Sequence, residues 1–279
     1  MISSKKYVDQ TLKKYQLVAN KALGQNFLIE EAIVDSIIKQ SNITKNTYVM
    51  EIGPGLGALT EKLVQKAKFV KVFEIDQNMC MILKNTFKET KNLEICHVDF
   101  LKVDLSQEFF KLKDEQDIKI ISNLPYYITT QILSKILFSN YSIHSLIVMM
   151  QKEVGMKLYR PQLKEKSPLT TILQYQYQVD IIQHVSKNAY LPRPEIDSMV
   201  LKIKKRMPTI QAKDEKILFD IIKELFKNRR KTIANNLQSY FKKKEDVLTF
   251  LKDLSIAENK RIEQLSLSEI ILIADHLGE

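Results

Sequence analysis

The sequence predicts an α/β fold: an open, mostly parallel sheet with helices on both faces, followed by a small all-helical C-terminal domain. Three observations predict it. Five short apolar, β-branched runs, at 48–52, 69–73, 93–98, 118–121 and 145–150, alternate with stretches of helical periodicity. A glycine-rich turn, Gly53-Pro54-Gly55-Leu56-Gly57, follows the first run directly, and a helix is expected to start near Gly57. Beyond Lys204-Lys205-Arg206-Met207-Pro208, a linker by composition, only helical patterns remain, near 215–226, 230–241, 246–251 and 268–276. Two more runs, 179–185 and 198–203, lie across Tyr190-Leu191-Pro192-Arg193-Pro194 and are expected to pair antiparallel at the sheet's edge. The expected domains are therefore residues 1–206, the sheet, and 207–279, the helices.

Composition narrows the classes of function. At 279 residues and 44% hydrophobic content, the chain can bury a substantial core. Its formal charge is +10, and residues 201–244 alone carry 14 Lys and Arg against 4 Asp and Glu, an excess equal to that of the whole chain. The charge favours an anionic partner, with a solvated helix face as the plainer reading. Cys80 and Cys96 are the only cysteines, no C-x-x-C occurs and the four histidines are scattered, so neither a zinc site nor a disulfide framework is expected. No N-terminal signal-like apolar core and no run of bilayer-spanning length is present, so a soluble, cytoplasmic protein is expected, with a monomer as the default.

Chemistry-bearing residues fall at the carboxyl ends of the strands, where open α/β sheets bind ligands. The three glycines let a ligand approach the backbone, but Gly53-x-Gly55-x-x-Ala58 also satisfies a loose dinucleotide pattern, leaving an NAD enzyme and a structural turn open. Glu74 ends the second run, 17 residues past Gly57, placed to accept hydrogen bonds from ribose hydroxyls. Asp99 ends the third, suited to an adenine amine with Phe100 covering the ring; a helix N-cap explains it equally well. The fourth run leads into Asn123-Leu124-Pro125-Tyr126, an amide, main-chain carbonyls and an aromatic ring side by side. Adenine's amine is a poor nucleophile because its lone pair is delocalised. The Asn123 oxygen and the carbonyl of Leu124 or Pro125 would each accept one N–H and draw that pair back, while Tyr126 stacks on an extruded base. Alone, the stretch also reads as a strand ended by a proline turn. Four such features at four successive strand ends favour a Rossmann-like methyltransferase that uses S-adenosylmethionine.

With these residues in hand, the sequence resembles the small-subunit ribosomal RNA adenine dimethyltransferases, from Leu23-Gly24-Gln25-Asn26-Phe27-Leu28 to the helical tail. Val148-Met149-Met150-Gln151-Lys152-Glu153, Pro192-Arg193-Pro194-Glu195-Ile196-Asp197-Ser198 and Asn228-Arg229-Arg230-Lys231-Thr232 carry the rest of the likeness. Tyr190 stands where the family's pattern has Phe, and Lys157 where it has Arg. The resemblance implies that Asn26 and Leu28 help hold the methionine portion of S-adenosylmethionine, with Glu51, Gly53, Gly55, Gly57, Glu74, Ile75, Asp99, Phe100 and Asn123 completing the cofactor site. It also implies RNA contact through Arg193, Arg229, Arg230 and Lys231, the last three being expected at the start of a helix. The implied substrate is a pair of adjacent adenosines near the 3′ end of 16S ribosomal RNA within an assembling particle. Alternatives are the large-subunit adenine methyltransferases of the macrolide-resistance type, and an assembly factor that acts mainly by binding. A DNA adenine methyltransferase fits less well, since the short helical tail does not resemble a DNA target-recognition domain.

Overall fold

The computed structural model describes residues 1–278 except 116, 140 and 142, with the backbone alone for Lys21 and Leu163. The strands are β1 (Phe27–Leu28), β2 (Thr47–Ile52), β3 (Phe69–Glu74), β4 (Leu93–His97), β5 (Asp117–Asn123), β6 (Ser145–Gln151), β7 (Tyr177–Val185), β8 (Tyr190–Leu191) and β9 (Ser198–Lys205). The helices are α1 (Lys5–Lys14), α2 (Glu31–Ser41), α3 (Thr60–Lys66), α4 (Gln77–Thr86), α5 (Leu105–Lys111), α6 (Thr129–Leu137), α7 (Lys152–Tyr159), α8 (Pro168–Gln176), α9 (Glu215–Lys227), α10 (Ile233–Leu237), α11 (Lys244–Asp253) and α12 (Leu267–Leu277). Among the described residues no helix is long and apolar enough to cross a membrane.

Seven strands form one sheet in the order β4-β3-β2-β5-β6-β9-β7. β2, β3, β4, β5 and β6 pair in parallel, and β9 runs antiparallel to β6 with Val148 opposite Leu201. The winding reverses between β2 and β5, which opens a crevice at their carboxyl ends. All six residues of β2 are buried, as expected of a central strand covered on both faces. Val49, Val72 and Ile121 are 0% exposed, and burying such a side chain contributes about 1.5–3 kcal/mol. Two buried lysines interrupt this apolar pattern and both are paired. Lys71 meets Glu108 at 2.6 Å and Glu94 at 3.2 Å. Lys119 donates to the Ser41 and Asn42 carbonyls at 3.1 and 2.8 Å, where a cation suits the carboxyl end of α2.

Several elements differ from the sequence expectation. α3 starts at Thr60, not near Gly57, because Gly57 takes φ +92° and belongs to the turn. β4 stops at His97, so Asp99 lies beyond the strand and caps the 3₁₀ turn Phe100–Lys102. α10 starts at Ile233 behind its cap Thr232, which puts Arg229, Arg230 and Lys231 in the preceding turn. The antiparallel pair β1 and β8, with Phe27 opposite Leu191 and Leu28 opposite Tyr190, is too short to leave a periodic signal.

Packing divides the chain into Met1–Tyr159 with Val179–Lys205, and Arg160–Gln178 with Arg206–Glu279. The last boundary, between Lys205 and Arg206, falls within the compositional linker 204–208, whereas residues 160–178, expected with the sheet, pack with the helices. The cause is α8, whose Leu169, Ile172, Leu173 and Tyr175 are buried and which packs on α9 and α12. Tyr175 also donates its hydroxyl to Glu215 Oε1 at 3.2 Å.

Candidate active site

A pocket occupies the crevice at the carboxyl ends of β2, β3, β4 and β5, lined entirely by residues of the first unit. Its floor is the turn after β2. Gly53 donates its N–H to the Phe73 carbonyl at 2.9 Å, which carries the β2 and β3 pairing one residue into the turn. A Cβ on Gly53, at φ +67°, would stand 3.1 Å from Pro125 Cγ, so a side chain there would press into the wall that carries Asn123. Gly57 is not among the lining residues. A Cβ there would lie 2.8 Å from Phe87, so this glycine serves the packing of α4's carboxyl end rather than the pocket wall.

Two buried carboxyls face the pocket from the ends of β2 and β3. Glu74 Oε2 accepts the Gly55 N–H at 3.1 Å and Oε1 the Asp76 N–H at 2.9 Å, while burial raises its pKa against the pull of those bonds. Glu51 is 2% exposed and accepts the Thr60 hydroxyl at 2.6 Å. Burial, with a smaller contribution from the Glu74 charge, pushes its pKa up to about 8, so at neutral pH it mainly keeps its proton. Ile75 is 41% exposed beside Glu74. Asp99 uses Oδ1 to accept the Leu101 N–H at 2.9 Å, and Phe100, buried, meets Phe73 edge-on at 5.3 Å. Asp99 thus has the capping role and lines the pocket as well.

Asn123 is the last residue of β5, opposite Met149. The neighbouring Ser122 hydroxyl donates to the Ile52 carbonyl and ties β5 to β2 beside the crevice. Asn123 Oδ1 is buried and has no hydrogen-bond partner among the described residues. Leu124 donates its N–H to the Met149 carbonyl at 2.9 Å, which fixes the turn. The Pro125 carbonyl accepts the Thr129 hydroxyl at 2.9 Å and the Ile128 N–H at 3.3 Å. The Leu124 carbonyl accepts no hydrogen bond among the described residues. Of the two carbonyls that the sequence leaves open, Leu124's is therefore the one with free acceptor capacity. Tyr126 shares a 2.6 Å hydrogen bond with the Ser198 hydroxyl and packs edge-on against Tyr190 at 6.5 Å, so its ring is anchored from behind.

Asn26 and Leu28 line the same pocket, and Asn26 donates its side-chain N–H to the Gly24 carbonyl at 3.0 Å. Arg193 is exposed and outside the pocket lining. In the second unit, Arg229 donates to the Lys164 carbonyl at 2.9 Å and meets Glu263 at 3.3 Å, while Arg230 and Lys231 are exposed. Sequence reasoning assigned no pocket role to Gln25, Tyr127 or the N-terminal Ile2 and Val8, all of which line it. The signal for Gln25 lay within the motif that gave Asn26. Ile2 and Val8 belong to an N-terminal segment with few apolar residues, and nothing local marks them.

The reversed winding, the glycine turn with its buried acids and the open acceptors after β5 define a Rossmann-like methyltransferase. The family model described as Ribosomal RNA adenine dimethylase matches residues 16–279. Ribosomal RNA small subunit methyltransferase A of Clostridium acetobutylicum is 37% identical over 96% of this chain and 97% of its own length. Among solved structures, a dimethyladenosine transferase from Plasmodium falciparum has the same fold with TM-score 0.70 and 22% identity, covering 90% of this chain and 98% of its own. The 23S rRNA methyltransferase ErmE shares the fold with TM-score 0.62 and 18% identity, covering 91% of this chain and 100% of its own. The chain belongs to the ribosomal RNA adenine dimethylase family, and its reaction is methyl transfer to adenine in ribosomal RNA.

Proposed function

We propose that this chain transfers methyl groups from S-adenosylmethionine to N6 of two adjacent adenosines near the 3′ end of 16S ribosomal RNA, leaving each dimethylated, and acts in the cytoplasm as a monomer on an assembling small subunit. The observation that carries the reading is the buried Asn123 Oδ1 beside the Leu124 carbonyl, both without a hydrogen-bond partner among the described residues, in a pocket whose other end holds Glu74 and Asp99. The small-subunit target is supported by the name of the Clostridium acetobutylicum relative, which matches nearly end to end.

The pocket suits the cofactor. Gly53 and Gly55 leave backbone where side chains would intrude, Glu74 keeps lone pairs for ribose hydroxyls, and Asp99 keeps Oδ2 for an adenine amine. Asn26 and Leu28 would hold the methionine portion. When bound, S-adenosylmethionine supplies an electrophilic methyl on a positively charged sulfur, which departs as a neutral thioether.

The protein's part is positioning and electrostatics. Asn123 Oδ1 and the Leu124 carbonyl each accept one N–H of the target amine, localising its lone pair and stabilising the positive charge that grows on nitrogen. An amide does not titrate near neutrality, so Asn123 is not a base; after the C–N bond forms, the nitrogen releases a proton to water. Tyr126, anchored through Ser198, gives the base an aromatic surface. After the first transfer a single N–H remains, so one acceptor loses its partner before the second transfer. Arg193, Arg230 and Lys231 contribute phosphate contacts, with Arg229 holding the turn that presents the last two.

Incubating the protein with labelled S-adenosylmethionine and ribosomal subunits that lack the modification, then mapping the label, tests the reading. Label is expected on two adjacent small-subunit adenosines; label on the large subunit would replace the target by that of the macrolide-resistance type.

A further inference from the structure

Residues 23–28 line the pocket, yet only the last two belong to a strand. That strand end is anchored by β8. The other anchor is the side chain of Gln25. Its Nε2 donates to Asp76 Oδ2 at 2.7 Å and its Oε1 accepts the Asn20 N–H at 2.8 Å, while its own N–H donates to the Asn20 carbonyl at 3.2 Å. Both ends of the amide are used in one sense only: turned over, Oε1 would face the Asp76 carboxylate and Nε2 the Asn20 N–H.

Asp76 divides its work. Its Oδ1 caps α4 by accepting the Asn78 and Met79 N–H groups at 2.8 and 3.4 Å, and Oδ2 takes the Gln25 amide. Its N–H donates to Glu74 Oε1 at 2.9 Å, and Glu74 Oε2 accepts from Gly55 at 3.1 Å. A continuous chain of hydrogen bonds thus runs from Asn20 through Gln25, Asp76 and Glu74 to the glycine turn. Gly24, next to the latch, takes φ +62°, and a Cβ there would touch Tyr127 at 3.4 Å, so the segment bends closely against the opposite wall.

We propose that Gln25 is a positioning residue for cofactor binding: its amide latches the segment 20–28 to Asp76, holding the pocket closed over the nucleoside end and slowing cofactor release. The proposal rests on the assignment of S-adenosylmethionine to this pocket. It separates Gln25 from Asn123, because a latch acts on residence of the cofactor and not on the methyl-transfer step.

The test uses the full chain and S-adenosylmethionine itself, with affinity from calorimetry, release rate from competition with S-adenosylhomocysteine, and steady-state rates on unmodified small subunits. Gln25→Ala is expected to weaken binding about tenfold, the scale of one charge-assisted hydrogen bond, mainly through faster release. Its kcat at saturating cofactor should stay within about twofold of wild type. Gln25→Glu, which apposes two carboxylates, should lose at least as much affinity. Gln25→Glu with Asp76→Asn should recover most of it, since donor and acceptor then trade sides while Oδ1 at position 76 still caps α4. Unchanged affinity in Gln25→Ala, a fall in kcat with affinity intact, or no recovery in the double variant would each overturn the latch. Wild-type protein that fails to bind S-adenosylmethionine would instead overturn the cofactor assignment beneath it.

Discussion

The two ends of the pocket treat their acceptors in opposite ways. At the end proposed for the nucleoside, both Glu74 oxygens accept main-chain N–H groups and Asp99 caps a 3₁₀ turn, so the fold itself orients the carboxylates. At the end proposed for the target base, Asn123 Oδ1 is buried and, among the described residues, neither it nor the Leu124 carbonyl has a hydrogen-bond partner, although the Pro125 carbonyl one residue on is used twice. A buried acceptor left unmade costs about 1–3 kcal/mol. On the proposed assignment, the nucleoside end is built from groups that also stabilise the protein, and the target end from acceptors that no group among the described residues satisfies. In the second unit, the Arg229 side chain is held by the Lys164 carbonyl and Glu263, while Arg230 and Lys231 are exposed, with the Lys231 N–H donating to the Asn228 carbonyl within the turn.

If the contrast is right, changes at the two ends separate activity, cofactor affinity and stability. Asn123→Ala should lower methyl transfer by about 10²- to 10³-fold, the scale of one lost transition-state hydrogen bond, with stability unchanged or slightly raised. Denaturant titration beside initial rates checks this; a large loss of stability would mean that Asn123 has a structural partner. Glu74→Ala should show the reverse pattern: cofactor affinity falling roughly 10- to 100-fold and stability by about 1–3 kcal/mol, because the Gly55 and Asp76 N–H groups lose their acceptor. Charge reversal at Arg230 and Lys231 should weaken RNA binding several-fold and flatten its salt dependence, measured by titration at several ionic strengths. Reversal at Arg229 should mainly loosen the turn; an equal loss of salt slope there would erase the distinction.

A separate effect, on stability alone, concerns Glu51. Its folded pKa, about 8, lies above the ordinary carboxyl value of 4.5, so between these two values the unfolded chain releases a proton that the native state keeps. Stability contributed by the neutral carboxyl is therefore fully present below pH ~4.5 and declines as pH rises towards ~8. Glu51→Gln should remove that decline and add about 1–3 kcal/mol near pH 7.5. Urea unfolding at several pH values reads it, and an unchanged pH profile would mean that Glu51 is ionised in the native state.

Much of this was legible from local pattern. The central strands announced themselves as apolar runs, and β2 at Thr47–Ile52 differs from the expected 48–52 by one residue. Glu74 and Asn123 sit at strand ends, as their spacing implied. What escaped depends on distant partners. Gly57 looks like its neighbours in sequence, but Phe87 decides its role; residues 160–178 carry no mark of belonging with α9 and α12; and the choice between Leu124 and Pro125 rests on Thr129, which comes to Pro125 only when α6 forms. That Asn123 Oδ1 would be left without a partner is likewise a property of the folded crevice, beyond the reach of any motif.

The most direct test sets Asn123→Ala beside Glu74→Ala, each assayed for S-adenosylmethionine affinity by calorimetry and for methyl transfer to unmodified small subunits at saturating cofactor. The account predicts that Asn123→Ala binds within about threefold of wild type and transfers almost nothing, while Glu74→Ala binds poorly and recovers transfer as cofactor is raised. Equal loss of affinity in both variants, or near-normal transfer by Asn123→Ala, would contradict it.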